Sequence, residues 1–334
     1  MADYSGTADM VGAVPTFYGK AFLERLLPQV IMMNYVEKQP LPPNNGTVVY
    51  FPRMTTPSTT VSAARIQYSA GREPITPGNI VSVQVSATVE KYGAAVAVQD
   101  VTTIAAITGT MTEVNNNMAD QGAQILDTRI IEEGYGTSSK AVPVNLHFSA
   151  SAYNTVGKED LGTTNTVPIS SYFTTMDAAS YKMTTGTVRA TVKRLLARNV
   201  LPQSDGFFSL ICHSDTAMTL QADTTWASAY QYTDPENIRK GVAGTYGGAK
   251  IQIDNNIKSS ALGSGGATVY YSLLLGKGSM GVTELNGGVK SFIVSDGASK
   301  YDPIDEFVSV GWKALMVPAV LNLSAGLVVL STDA

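Results

Sequence analysis

The chain is poor in the residues that carry most protein chemistry. Its 334 residues include one cysteine, Cys212, which excludes an intramolecular disulfide framework. It has two histidines, His147 and His213, too little material for a histidine-rich metal site or a His-based triad. Charged residues make up 15%, against the roughly 25% usual for soluble domains. The surface must therefore be built from Ser, Thr, Asn, Gln and Gly, which suits a protein that hides much of itself against neighbours. A net charge of -4 excludes a general nucleic-acid binder of the strongly basic kind, although a local basic patch remains open. The opening "MADYSGTADM" has no basic region followed by an apolar stretch, so no secretory signal is expected. The most apolar stretch, "WKALMVPAVLNLSAGLVVL", is interrupted by Lys313, Pro318, Asn322 and Gly326, and reads as two buried strands joined by a bend rather than a membrane span.

What is present is an ordered series of elements. Residues 1–16 are small and polar and read as an arm. Phe22, Leu23, Leu26 and Leu27 recur at helical spacing, and this helix is expected to stop before Pro28. After a Pro cluster and the Asn44-Asn45-Gly46 turn, Thr47–Phe51 reads as a strand. Residues 54–78 carry few large apolar side chains. Beyond them Val81, Val83, Val85, Ala87 and Val89 alternate with polar residues, the pattern of a half-buried strand. Two strands flanking a core-poor excursion make an extended hairpin, which needs something to lie on.

"YGAAVAVQD" continues in strand. A long helix follows, with Met111, Val114, Met118, Gly122, Ile125 and Ile130 inward and Gly134 as its stop; it could serve as a spine. Residues 136–186 read as loops and small strands. "GTVRATVKRLLARNVLP" predicts a second amphipathic helix, with Val188, Val192, Leu195 and Leu196 inward and Arg189, Lys193, Arg194 and Arg198 outward. "FFSLICHS", "GAKIQIDNNI", "TVYYSLLLG" and "VKSFIV" predict strands. The class is α+β.

Candidate chemistry is thin. "GKGSMG", Gly276–Gly281, is a literal G-x-G-x-x-G after a predicted strand, and Asp302 stands near the distance of a ribose-binding acid. The β-type run that follows provides no helix N-terminus for a pyrophosphate, so a turn between strands is expected. Cys212 and His213 are neighbours along a strand and point to opposite faces, which disfavours a nucleophile–base pair. Asp302, Asp305 and Glu306 lack the spacing of a cation-binding loop and read as a solvated turn, and Glu132-Glu133 as a solvated helix end. Arg189, Lys193, Arg194 and Arg198 could meet nucleic acid or a partner's carboxylates, or be a solvated face. No catalytic, cofactor-binding or metal-binding residue is assigned.

Several segments in order carry a resemblance: "LERLLPQVIMMNYVEKQPLPPNNGTVVYFPR", "KYGAAVAVQD", "ILDTRIIEEG", "GTYGGAKIQID" and "VSVGWKALMVPAVLNLSAGLVV". Together they resemble tailed-phage major capsid proteins of the N4-like podophage family, which have the Hong Kong 97-type (HK97) capsid fold. The resemblance implies an N-terminal arm at 1–45, an extended loop at 46–90, and a peripheral domain from 91–136 and 296–334 containing the spine helix. It further implies an axial domain at 185–295, with 137–184 an insertion or inter-domain segment. It implies a structural protein without enzyme activity or cofactor, assembling with itself as hexamers and pentamers into an icosahedral shell around double-stranded DNA held without sequence specificity. Portal, scaffolding and cement or decoration proteins would be its other partners, the host cytoplasm its place of assembly and the virion capsid its final location, with no membrane involved. Ile66, Tyr68 and Ile75 would supply the extended loop's contacts with a neighbouring subunit. Residues 53–80 contain no lysine, so the Lys–Asn isopeptide weld of some relatives is not expected from that loop. A tail or baseplate protein, a surface-layer protein and a nucleotide-dependent enzyme using Gly276–Gly281 are the competing readings. The first lacks the Gly-Trp-Lys terminal block, the second needs an export signal, and the third needs the missing helix.

Overall fold

The computed structural model describes residues 13–41, 46–54, 82–99, 110–135, 146–148, 176, 178, 181–226, 244–261, 263–294, 306–322 and 325–332. Ile66, Tyr68, Ile75, Asp302 and Asp305 lie outside the described residues.

Helix α1 spans Ala13–Gln29 and buries Phe22 and Leu26. It begins within the segment expected to be an arm and passes through Pro28, where the sequence predicts a stop. Pro28 supplies no N–H to the last turn, and the helix ends one residue later. After a tight turn at Met32–Asn34, strand β1 (Glu37–Leu41) follows, then β2 (Val48–Met54), β3 (Ser82–Thr88) and β4 (Glu90–Gln99).

Helix α2, Thr110–Tyr135, is the expected spine; its 26 residues span about 39 Å at 1.5 Å per residue. Its buried face is Met118, Ala119, Ala123, Leu126, Ile130, Ile131 and Tyr135. Ile125, expected inward, is 38% exposed: the buried arc centres on Ala119, Ala123, Leu126 and Ile130, which turns Ile125 to its edge. Gly122 marks a crossing where a Cβ would stand 3.0 Å from Leu26 Cδ1 and 3.3 Å from Trp312 Cε2. Arg25 of α1 forks onto the Asp120 carboxylate of α2 at 2.6 and 2.7 Å, and holds that carboxyl below its usual range. At the helix end Glu133 is not simply solvated, as the sequence suggested: it accepts from Arg129 at 3.1 Å, and the Arg129 Nε–H donates to the Tyr92 hydroxyl.

The rest of the chain gives β5 (Leu146–Phe148), α3 (Thr185–Ala197), β6 (Phe208–Cys212), α4 (Ser214–Gln221), β7 (Thr245–Tyr246), β8 (Ala249–Ile253), β9 (Ser259–Ser260), β10 (Val269–Leu275), β11 (Met280–Val294), β12 (Phe307–Val320) and β13 (Gly326–Thr332). A four-stranded sheet runs β1-β11-β12-β4, and a seven-stranded sheet runs β5-β13-β10-β6-β8-β7 with β9 beside β10. The apolar C-terminal stretch is two strands, as expected, but they part company. β12 pairs with β11 and β4, while β13 pairs with β10. A domain division at residue 295 therefore follows neither sheet: β11 belongs with β12, and β13 with the strands of 185–295. Pro318 sits beyond Met316, the last β12 residue paired to β4, where a missing N–H is tolerated.

β10 explains why its sequence is a continuous apolar run. Val269, Tyr271, Leu273 and Leu275 enter the main core with α1, α2 and the four-stranded sheet, while Leu274 enters a second core under α3. β13 divides likewise, Val328 and Leu330 to the first core and Leu327 and Val329 to the second. A sheet covered on both faces needs no polar alternation. α3 is capped by Thr184, whose Oγ1 accepts the Thr187 N–H, and ends at Asn199 with φ 55. Its buried residues are Thr185, Thr187, Val188, Thr191, Val192 and Leu195; Leu196, expected inward, is 56% exposed.

Candidate functional site

The G-x-G-x-x-G segment is the turn from β10 into β11, and Gly281 lies inside a strand, so no helix N-terminus faces it. Its parts have structural duties. Gly276 donates its N–H to Ala325 O, and a Cβ there would stand 2.5 Å from Val200 Cγ1. Gly278 takes φ 68, a left-handed conformation suited to glycine. Ser279 O accepts from both Leu321 and Asn322 N–H.

Cys212 and His213 diverge as expected. Cys212 is buried in the second core and burial pushes its thiol up to about 12, so it is no nucleophile. His213 caps α4, accepting the Asp215 N–H on Nδ1 at 3.3 Å, and stacks on Tyr270 at 4.8 Å between ring centroids. The sequence reading missed α4; the Ser214-Asp215 pair after His213 was its signal.

The four basic residues of α3 do not form one patch. Arg189 and Lys193 share an exposed strip, four residues apart, while Arg194 and Arg198 are half-buried around the other side of the helix. Among the described residues no group of three or more His, Cys, Asp or Glu is placed to hold a metal ion. No helix of the described residues is long and apolar enough to cross a membrane.

The distinctive surfaces are apolar and belong to sheets. β2 and β3 form the expected antiparallel hairpin, Val48 opposite Thr88 through Met54 opposite Ser82. Val49 and Phe51 are buried in a small cluster with Ala319, against which Leu41, Val85, Ala87, Val89 and Leu321 pack. The other face leaves Val48 and Tyr50 exposed, Tyr50 by 56%. On the four-stranded sheet the face toward α2 is filled by Val310, Trp312 and Ala314. The opposite face carries Phe292, Val294 and Phe307 exposed, with Lys313 Nζ 4.7 Å from the Phe292 ring centroid.

The most perturbed acid lies inside. Asp127 of α2 is fully buried. Its Oδ1 accepts the Met32 N–H at 3.0 Å and its Oδ2 accepts from Asn256 Nδ2 at 3.0 Å. Burial first, then the neighbouring Asp254 carboxyl, pushes Asp127 up to about 8.

No family model and no curated protein matches the sequence. Solved structures match over nearly the whole chain. A chain of the cyanophage Pam1 capsid asymmetric unit aligns at TM-score 0.66 and 14% identity, covering 93% of this chain and 92% of that one. The head structure of Helicobacter pylori bacteriophage KHP40 gives TM-score 0.62 and 10% identity over 90% and 91%. The capsid of Ralstonia phage GP4 gives 0.61 and 12% over 90% and 87%. The chain thus has an α+β fold of the HK97 capsid type. Its particular form of that fold joins a four-stranded sheet on a spine helix to a seven-stranded sheet, with a two-stranded hairpin set against the first.

Proposed function

We propose that the protein is a major capsid subunit that assembles with copies of itself, as hexamers and pentamers, into the icosahedral shell of a tailed phage. The observation that carries this reading is the match in fold to chains of phage capsids over nine-tenths or more of this chain. The surface supports it: exposed apolar residues lie on the hairpin and on the open face of the four-stranded sheet, where repeated contacts between copies would bury them. In this reading α2 and the four-stranded sheet are the peripheral domain, and the seven-stranded sheet with α3 and α4 is the axial domain. The β2–β3 hairpin is the stem of the extended loop that reaches a neighbour, with Ile66, Tyr68 and Ile75 as its contacts. Double-stranded DNA, held without sequence specificity, would be the cargo, with portal, scaffolding and cement proteins as further partners. Assembly would take place in the host cytoplasm. Sedimentation and negative-stain imaging of the expressed protein test the reading. Closed shells or capsomers are expected, and monomers alone in the presence of a scaffold partner would overturn it.

A further inference from the structure

Three segments far apart in sequence converge on one carboxyl group. Asp127 takes hydrogen bonds from Met32, 95 residues before it, and from Asn256, 129 residues after it. The Asp254 side chain completes the group. Asp254 is 2% exposed, its backbone N–H donates to Cys212 O at 2.9 Å, and its Oδ1 accepts the Asn256 N–H at 2.9 Å. Its Oδ2 is buried and meets no donor among the described residues. Two buried carboxyls with three N–H donors between them cannot both remain ionised, because neighbouring like charges repel and burial penalises each. One proton resolves the arrangement: carried on Asp127, it can be donated to Asp254 as an O–H···O bond and gives the unmatched Oδ2 a partner. A divalent cation would fit poorly, since hard cations of this kind take about six to eight oxygens and among the described residues no third acid joins the pair.

We propose that Asp127 and Asp254 share one proton, forming a pH-sensitive latch that ties the spine helix and the N-terminal turn to the seven-stranded sheet and loosens when the proton leaves. The groups facing the pair are few. α2 also contributes Tyr135, whose hydroxyl donates to Tyr271 O and whose burial raises it well above a normal phenol. The 254–258 turn contributes Lys258, which lies 5.8 Å from the Tyr271 ring centroid, and β10 contributes Tyr271 itself. The turn at Met32–Asn34 brings no charged side chain. Among the described residues the groups that favour the Asp127 anion are the Asn256 amide and the Met32 N–H, neither of them charged, and both tyrosines stay neutral over the window concerned.

The sign follows from proton binding. The folded chain holds the shared proton where the unfolded chain, with ordinary carboxyls, has released it. Stability from the latch is full below about pH 4 and falls as pH rises, until the folded pair also loses its proton near 8. Across that window one proton makes the unfolding constant rise about tenfold per pH unit. The latch is a property of the subunit and does not depend on what it assembles into.

Infrared difference spectra of the full chain test it directly. The native protein should show the carbonyl band of a buried protonated carboxylic acid at pH 6 and lose it above pH 9. Asp254→Asn and Asp127→Asn, each keeping the side-chain shape, should both lack that band. In urea unfolding at pH 5 to 9, Asp254→Asn should flatten the pH slope by one proton, because its amide N–H replaces the shared O–H. Absence of the band in the native protein, or its persistence in both variants, would overturn the proposal. So would an Asp254→Asn slope equal to the native one. Absence of the band from the native chain overturns the proposal even if a variant does not fold.

Discussion

The β2–β3 hairpin and strand β10 are both built from apolar and β-branched residues, yet they stand at opposite ends of self-sufficiency. All seven residues of β10 are buried, and its side chains divide between two cores of its own subunit. The hairpin buries one face in a cluster of a few residues and presents Val48 and Tyr50 on the other. The first is a wall of the subunit, whereas the second leaves an apolar face open, the face the proposed assembly would cover. If the protein builds a shell as proposed, one chain needs both kinds of strand, because such a subunit folds before it meets its neighbours and keeps surface in reserve for them.

The largest break in this contrast comes from removing the extended loop. Deleting residues 56–76 should leave a folded subunit with an unchanged thermal midpoint that no longer makes stable shells in sedimentation. Loss of folding would place the loop with the walls instead.

Next, Leu273→Ala in β10 should cost about 2–5 kcal/mol in denaturant unfolding of the subunit, through lost burial and the cavity left behind. Tyr50→Ala should cost within about 0.5 kcal/mol by the same measurement while raising the concentration needed for assembly. Equal costs would erase the distinction between wall and interface.

A smaller effect is expected at the helix lying on the second core. Thr184→Ala removes the α3 cap and should cost about 1 kcal/mol in subunit stability, with assembly otherwise normal. The smallest expected signal is none: calorimetry with NAD or ATP should show no saturable heat, and a heat abolished by Gly278→Val would reopen the enzyme reading.

Much of this was legible from side-chain period. The alternation of Val85, Ala87 and Val89 gave the hairpin its faces, and the stripe through Met118 and Ile130 gave the spine. Period failed at the margins of arcs, where Ile125 and Leu196 are separated from buried neighbours by one step of the helix. Pro28 reads as a breaker, yet α1 ends only at Gln29, one residue beyond it. Pairing was not legible. That β11 joins β12 while β13 joins β10 depends on contacts across long loops, about which local pattern is silent. The acid pair lies between. Asp127 stands in the sequence among Ala123, Leu126, Ile130 and Ile131, and an acid within an apolar stripe was a signal available to be read. Its partner, Asp254, lies 127 positions further on and no local rule connects them.

The turn at Gly276–Ser279 has a mechanical consequence. The chain passes from the seven-stranded sheet to the four-stranded sheet at this turn and returns between β12 and β13, and the residues flanking that return are tied to the turn by Gly276 N–H to Ala325 O and by Leu321 and Asn322 N–H to Ser279 O. Two connections between the sheets are thus fastened to each other at one turn. Neither connection can shift without straining these three hydrogen bonds, so any relative movement of the two sheets must carry both connections together.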